Sequence, residues 1–566
     1  MEPRPGPSTD GSAGKLRGRR LIEHSGQSTT SAGPGPVRAP AVTAADLGWT
    51  YRGRVSPALS GVSFALPSSA VLLVLGPSGS GKSTLARALA GLMPHTLPGR
   101  WEGSLRLDRL EVAETATGRL AEVTGICFQD PEGQLVMSRV EDEVAFGLEN
   151  RAWSRPRMLR RVPEALAEVG LGGFERRDTA RISGGEQQRL AIADVLAPLP
   201  GLLVFDEPTA QLDPVGTEAV FERLERLARR RERTIVIVEH RVDAVLPIAD
   251  RVLILDGEGR QVGFGRPDEV GQAHAETLDR IGGWVPSAWR GWLRTPVDDG
   301  PARTEHSRGE QLVACEDLWF SYPRDATDPR PPVLREVGFR LREGERVALV
   351  GSNGSGKSTL LLLVAGLLKQ SRGRIVLAGG RDPRRLSRRE LPHAIGLCFQ
   401  DPELGFVAPT VREEVAAGLS RSAPGLQAGQ VDDALRRFGL EGLAEESPFR
   451  LSIGEQRRLS ICAATIRQPR LLLLDEPTFG LDRLGSDAVI ELLDVHRSSG
   501  GAQLLATHDP RLVSRCDRVI ALHAGAVRSD GPAAAFLADP PLRPQAPWRL
   551  ASGSGRVPDL APVAGR

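Results

Sequence analysis

The sequence predicts an α/β fold of two tandem domains, each built on a mainly parallel sheet, and three observations carry that prediction. Two glycine-rich segments, GPSGSGKS (76–83) and GSNGSGKS (351–358), each join a short apolar run to a helical pattern. Two further apolar runs, GLLVFDEP (201–208) and RLLLLDEP (470–477), each end in Asp-Glu-Pro. Six landmarks recur in one order at offsets of 268 to 275 residues: Tyr51 with Tyr322, Lys82 with Lys357, Gln129 with Gln400, Ser183 with Ser452, Asp206 with Asp475, and His240 with His508. Ordered recurrence at that spacing marks a duplicated domain.

A chain of 566 residues exceeds what one hydrophobic core supports. Residues 1–40 and 541–566 are rich in Gly, Pro and Ser and are expected to be disordered or flexible. Residues 41–265 and 311–540 form the two blocks, and 266–310, with Pro, Gly and three tryptophans, reads as a linker. Trp284, Trp289 and Trp292 are expected to pack against the first block; contact with a membrane interface is the other reading. The net charge of +2 gives no electrostatic case for nucleic acid. No apolar run approaches the roughly 20 residues of a membrane helix, and the N-terminal segment lacks the apolar core of a secretory leader. The five scattered cysteines form no metal or redox motif and suit a reducing cytosol.

Within each block the elements follow in order. VLLVLG (71–76) and RVALVG (346–351) read as buried strands ending on glycine. STLARALAGL (83–92) and STLLLLVAGLL (358–368) follow as helices, and TIVIVEH (234–240) and QLLATH (503–508) as strands ending on histidine. The glycine-rich segments fit G-x-x-x-x-G-K-[ST] in the strand-to-helix context of a phosphate-binding loop. Glycines allow the backbone to turn its N–H groups onto phosphate, and the helix N-terminus adds a favourable dipole. Gly76, Ser78, Gly79, Gly81, Lys82, Ser83 and Thr84 are the candidate ATP-binding residues of the first loop. Gly351, Asn353, Gly354, Gly356, Lys357, Ser358 and Thr359 are those of the second. The chain has only four lysines against sixty-nine arginines, and two of the four stand here. A compact ammonium suits the β/γ-phosphates better than a planar guanidinium does. Ser83 with Asp206, and Ser358 with Asp475, can hold Mg²⁺. Glu207 and Glu476 can orient or deprotonate the attacking water.

These motifs together resemble the nucleotide-binding domains of ABC proteins, two P-loop NTPase cassettes in one chain, over about residues 41–265 and 311–540. The resemblance implies that Tyr51 and Tyr322 stack on adenine. It implies that Gln129 and Gln400 sense Mg²⁺ and the transport partner, and that His240 and His508 act beside Glu207 and Glu476 at the γ-phosphate. Ser183-Gly184-Gly185-Glu186 and Ser452-Ile453-Gly454-Glu455 match the signature that opens a helical subdomain, and Asp213 and Asp482 match the D-loop. In this family cassettes pair head to tail, so one chain is expected to form two composite sites. The first joins Lys82, Gln129, Asp206, Glu207 and His240 to Ser452–Glu455. The second joins Lys357, Gln400, Asp475, Glu476 and His508 to Ser183–Glu186. Ile453 breaks the second signature; it is strained if Gly184 has positive φ and mild if φ is negative. On this departure, the second site is expected to be the main hydrolytic one.

The segments DPEGQLVMSRVEDEVAFGLEN (130–150) and DPELGFVAPTVREEVAAGL (401–419) are similar to those of energy-coupling-factor (ECF) importers of vitamins, thiamine precursors or transition metals. That resemblance implies two membrane partners, a multi-helix scaffold and a substrate-capturing protein, and a peripheral place on the cytoplasmic face of the membrane. Glu141, Asp142, Glu143, Glu413 and Glu414 are expected to offer carboxylates to arginines of the scaffold, with a solvated acidic helix face as the plainer reading. Gly405-Phe406 stands against Gly133-Gln134, so the two docking grooves are expected to differ. A soluble twin-cassette ATPase acting on ribosomes and the ATPase of an exporter remain as alternatives. The short linker and near-zero net charge weigh against the ribosomal one.

Overall fold

The computed structural model describes residues 39–131, 133–210, 212–293, 309–322, 332–417, 419 and 424–538. Nearly all of the predicted disordered N-terminal segment, the whole flexible C-terminal tail and residues 294–308 of the linker lie outside them.

Each block holds a six-stranded sheet of the same order. In the first it runs Gln261–Gly265, Arg251–Leu255, Val71–Leu75, Thr234–Val238, Leu202–Asp206, Thr124–Cys127. In the second it runs Ala526–Pro532, Arg518–His523, Arg346–Val350, Ala502–Ala506, Leu471–Asp475, Ile395–Cys398. All neighbours are parallel except the antiparallel edge strands Gln261–Gly265 and Ala526–Pro532. The central strands read VLLVL, TIVIV, LLVFD and LLLLD because both of their faces are covered. A smaller antiparallel sheet, centred on Val42–Tyr51 or Gln311–Phe320, covers one face together with the helix after the phosphate loop. A helical layer covers the other.

The central strands deliver their carboxyl ends to one edge, which is where parallel sheets place ligands. Gly76, Lys82, Asp206, Glu207 and His240 gather there in the first block, and Gly351, Lys357, Asp475, Glu476 and His508 in the second.

The predicted linker is structured where it is described. Pro267–Arg280 is a helix and Ser287–Trp292 a 3-10 turn, both packed on the first block. Its apolar positions Val270, Ala275 and Leu278 are too sparse to show a period by eye, yet all three are buried. Trp289 is buried against the core, and Trp284 and Trp292 pack beside it, in line with the packing reading.

Candidate functional site

The two phosphate loops have the same backbone. Gly81 and Gly356 precede the helices Lys82–Leu89 and Lys357–Val364 in the left-handed region, at φ 85 and 101°. A side chain at Gly81 would also strike the Ala58 carbonyl, so glycine is required there sterically and conformationally. Lys82 Nζ donates to the carbonyls of Gly76 at 2.9 Å and Pro77 at 2.6 Å; Lys357 Nζ donates to Gly351 at 2.7 Å and Ser352 at 3.3 Å. Tyr51 and Tyr322 lie at the first turn of these helices, with hydroxyls 3.1 and 3.2 Å from Thr84 and Thr359.

Glu207 and Glu476 both stand at positive φ, 50 and 47°. Each backbone N–H is tied to the neighbouring strand, at Val238 (2.9 Å) and Ala506 (2.8 Å). Left-handed backbone at a non-glycine residue costs on the order of 1–3 kcal/mol and persists where surrounding structure enforces it. The strain recurs at the same position in both blocks.

Their surroundings differ. Glu207 accepts from the Gln129 amide at 2.9 Å and lies 2.9 Å from His240 Nε2. Burial pushes its pKa up, but His240 and Lys82 outweigh burial and hold it below the ordinary 4.5. Among the described residues, Glu476 accepts only a long 3.2 Å bond from the His508 N–H, with His508 Nε2 at 3.6 Å. Burial raises this carboxyl to about 7, against the pull of Lys357. His508 Nε2 faces Lys357 Nζ at 3.1 Å; burial, Lys357 and Arg241 together keep its pKa far below the usual histidine value. Asp206, 3.1 Å from the Ser83 hydroxyl, is raised to about 6 by burial and by Glu207. Asp475 is raised by burial, against the Ser358 hydroxyl.

The blocks meet through their D-loops. Asp213 caps its own helix by accepting from Gly216 N–H at 2.7 Å, and its other oxygen accepts from Asn353 N–H of the second phosphate loop at 2.9 Å. Asp482 caps its helix through Gly485 N–H at 2.7 Å and accepts from Ser78 N–H of the first loop at 2.8 Å. Each phosphate loop is therefore completed by the other block. A cavity of about 1240 Å³ joins Gly184 to Tyr322, Lys357, Ser358, Thr359, Gln400, Asp475, Glu476 and His508, the predicted second composite site. Ser183, Gly185 and Glu186 adjoin Gly184 at the start of the helix Gly184–Leu196. For the first site, Asp482 of the second block touches Ser78 of the phosphate loop. Gly454 sits behind that loop, 3.6 Å from Leu481 for an added Cβ, next to Ser452 and Glu455.

The signatures themselves match in geometry. Ser183 and Ser452 each cap their helix, and Glu186 and Glu455 each return a bond to the serine N–H, at 2.7 and 2.8 Å. Gly184 is the first helical residue, is not among the positive-φ glycines, and a Cβ there meets nothing within 4 Å. Ile453 is therefore unstrained. Its side chain is 47% exposed and rests against Gly480.

Two expectations for the docking segment need correction. Glu143 and Glu414 are buried, not offered to a partner. Glu143 accepts from the N–H groups of Val136 at 2.9 Å and Met137 at 2.5 Å; Glu414 accepts from Val407 and Ala408 at 2.8 Å each. Glu141, Asp142 and Glu413 remain accessible. The same bonds align Val136 with Val407, so Leu404-Gly405-Phe406 stands against Gly133-Gln134-Leu135.

Sequence reasoning also missed the buried groups at positions 188 and 457. Arg457 donates to the Phe399 and Gln400 carbonyls at 2.8 and 2.7 Å, tying the second signature helix to its glutamine loop. Gln188 reaches Cys127 Sγ instead, at 3.3 Å. The only signal was EQQR against EQRR.

The ABC transporter family model matches residues 59–210 and 334–479. The "Putative HMP/thiamine import ATP-binding protein YkoD" of Bacillus subtilis (strain 168) is 33% identical over 507 residues, 87% of this chain and 91% of that protein. A "Putative ABC transporter ATP-binding protein" of Streptomyces avermitilis is 35% identical over 548 residues, 88% of this chain and 95% of that protein. Among solved structures, cbiO1 from Clostridium perfringens, part of the ABC transporter complex cbiONQ, is 31% identical, covering 40% of this chain and 91% of that one, with a TM-score of 0.36. The chain belongs to the ABC transporter family, as an ATP-binding protein and ATPase with two cassettes.

Proposed function

We propose that this ATPase energises an ECF-type importer of a vitamin, a thiamine precursor or a transition metal, from the cytoplasmic face of the membrane. The observation that carries the reading is similarity along most of both chains to a protein named for HMP/thiamine import. No helix among the described residues is long and apolar enough to cross a membrane, so separate membrane proteins would carry the cargo.

ATP binds in two composite sites, with Tyr51 and Tyr322 against adenine and Lys82 and Lys357 on the phosphates. Ser83, Gln129 and Asp206, and Ser358, Gln400 and Asp475, would hold Mg²⁺. The donor set fits: the Ser83 hydroxyl and Asp206 carboxylate already face each other, and a buried carboxyl raised to about 6 is one that a cation would keep ionised. Mg²⁺ when bound neutralises charge on the β- and γ-phosphates. Glu207 and Glu476 take the proton of the attacking water, and His240 and His508 orient the γ-phosphate side. The second site, with its weakly engaged Glu476 and open cavity, carries most of the turnover.

The scaffold docks beside the glutamine loops, and the two grooves are unlike. In the second block Leu404, Val407 and Phe449 are 72, 82 and 54% exposed, and Phe406 meets Phe449 at 6.0 Å. Gly133 and Leu135 stand opposite Leu404 and Phe406 in the first block, and Ala180 opposite Phe449. Such a patch selects an apolar anchor on one coupling helix and so favours one orientation of the fused pair. The test is affinity purification of the chain from detergent-solubilised membranes of its native host, followed by mass spectrometry. Two small multi-helix membrane proteins at near-equal amounts support the reading. A soluble chain carrying ribosomal proteins overturns it.

A further inference from the structure

We infer that Arg483 is a positioning residue that clamps the second D-loop onto the first cassette, so that the two composite sites open unequally. Arg483 directly follows Asp482, the residue whose carboxylate accepts from Ser78 N–H at 2.8 Å and whose own N–H meets the Ser78 hydroxyl at 3.1 Å. The Arg483 N–H donates to the Gly282 carbonyl at 3.2 Å. Its guanidinium pairs with the Asp279 carboxylate at 3.2 Å and also donates to the Asp279 carbonyl. Asp279 and Gly282 belong to the segment that ends the first cassette and is packed into its core. Leu484 fills the space over Gly282, where an added Cβ would lie 2.5 Å from it.

The contact extends in both directions. Arg483 pairs with Asp487 at 3.1 Å, Asp487 pairs with Arg511, and the Arg511 guanidinium lies 5.1 Å from the Trp284 ring centroid. On the first cassette, Ser287 bonds Asp243 through its N–H at 2.6 Å and its hydroxyl at 2.9 Å. The D-loop of the second cassette is thus held by the body of the first through bonds that involve no nucleotide.

The pseudo-symmetric position in the first cassette is Pro214, following Asp213. Proline has neither the N–H nor the cation that the clamp uses. Among the described residues, Asp213 is tied to the other cassette through Asn353, whereas Asp482 is also held from behind by Arg483. When ATP leaves, the second site separates, and the first stays closed around its P-loop. This rests on the reading of the two sites as ATP-bridged.

Spin-label pairs at exposed arginines test it. Arg100 pairs with Thr50 beside Tyr51 and Arg450 stands two residues before Ser452, so this pair reports on the first site; Arg372 pairs with Trp319 in the strand leading to Tyr322 and Arg181 stands two residues before Ser183, so this pair reports on the second. Distances are measured by double electron–electron resonance in the full chain, without nucleotide and with ATP trapped by Glu207→Gln and Glu476→Gln. Removing ATP is expected to lengthen only the second distance. Arg483→Pro is expected to let the first lengthen as well, Asp279→Ala to act in the same direction should the proline variant fold poorly, and Arg483→Lys to restore the difference. Equal lengthening in the unsubstituted chain, or no response to Arg483→Pro and Asp279→Ala, overturns the clamp. Radiolabelled ATP binding on the same samples separates the two readings: no binding overturns both, whereas binding with equal lengthening overturns the clamp alone.

Discussion

Replacing Glu476 by Gln should abolish most ATP turnover, and replacing Glu207 by Gln should remove little. The size of the difference follows from the two surroundings. Both carboxylates can act as base on the attacking water, and the more basic one is the better catalyst once ionised. Glu476 is raised to about 7 by burial. Glu207 is held below 4.5, because His240 and Lys82 outweigh its burial. The gap exceeds two pH units, and with a Brønsted slope of about 0.5 it gives the second site an advantage of roughly 20-fold. At pH 8, where both groups are ionised, Glu476→Gln should leave about one twentieth of the phosphate release at saturating Mg-ATP, and Glu207→Gln should leave nearly all of it. At pH 6 only about a tenth of Glu476 is ionised, so the advantage should shrink to about twofold. Turnover of the Glu207→Gln protein should therefore rise from pH 6 to 8 and level off above. Equal losses from the two substitutions at pH 8, or a ratio that does not change with pH, would refute the reasoning.

Two further outcomes are expected. Ile453→Gly, made together with Glu476→Gln, should raise the residual turnover by no more than about threefold, because the position is already helical and unstrained; a rise beyond tenfold in phosphate release would make Ile453, and not the Gln129–Glu207–His240 cluster, the brake on the first site. Glu414→Ala should cost about 2 kcal/mol in thermal unfolding, since it strips the acceptor from the N–H groups of Val407 and Ala408; a loss under about 0.5 kcal/mol would mean that water replaces the carboxylate freely.

What was legible in the sequence is what depends on contiguous residues. The phosphate loops, the Asp-Glu strand ends and the signature helices are each set by a short run whose glycines, apolar pattern or cap dictates the backbone. What was not legible depends on a partner far along the chain. Glu143 and Glu414 look like the rest of an acidic helix face until the loop seven residues earlier folds back and presents two N–H groups to each. The segment 267–292 shows no period because it needs few apolar contacts: three buried aliphatic side chains and a tryptophan plug suffice on a surface that already exists.

Ile453 shows how a conspicuous departure can mislead. Read alone, Gly-to-Ile in a phosphate-contacting motif suggests a damaged site. The residue opens a helix with room for its side chain, and the cap around it is the same as in the intact copy. The larger asymmetries sit in contacts that no motif shows. Gln129 and His240 both reach Glu207, whereas Glu476 has one long bond from His508. Gln188 stands where Arg457 stands, and Pro214 where Arg483 stands. The phosphate loops and the signature caps of the two blocks keep one geometry. The residues behind them face different surroundings: one cassette is followed by a packed segment that reaches its neighbour's D-loop. On the proposed reading, a difference in turnover between the two sites comes from contacts behind these motifs, which change the strength of a base or the mobility of a loop and leave the phosphate loop and the signature cap intact.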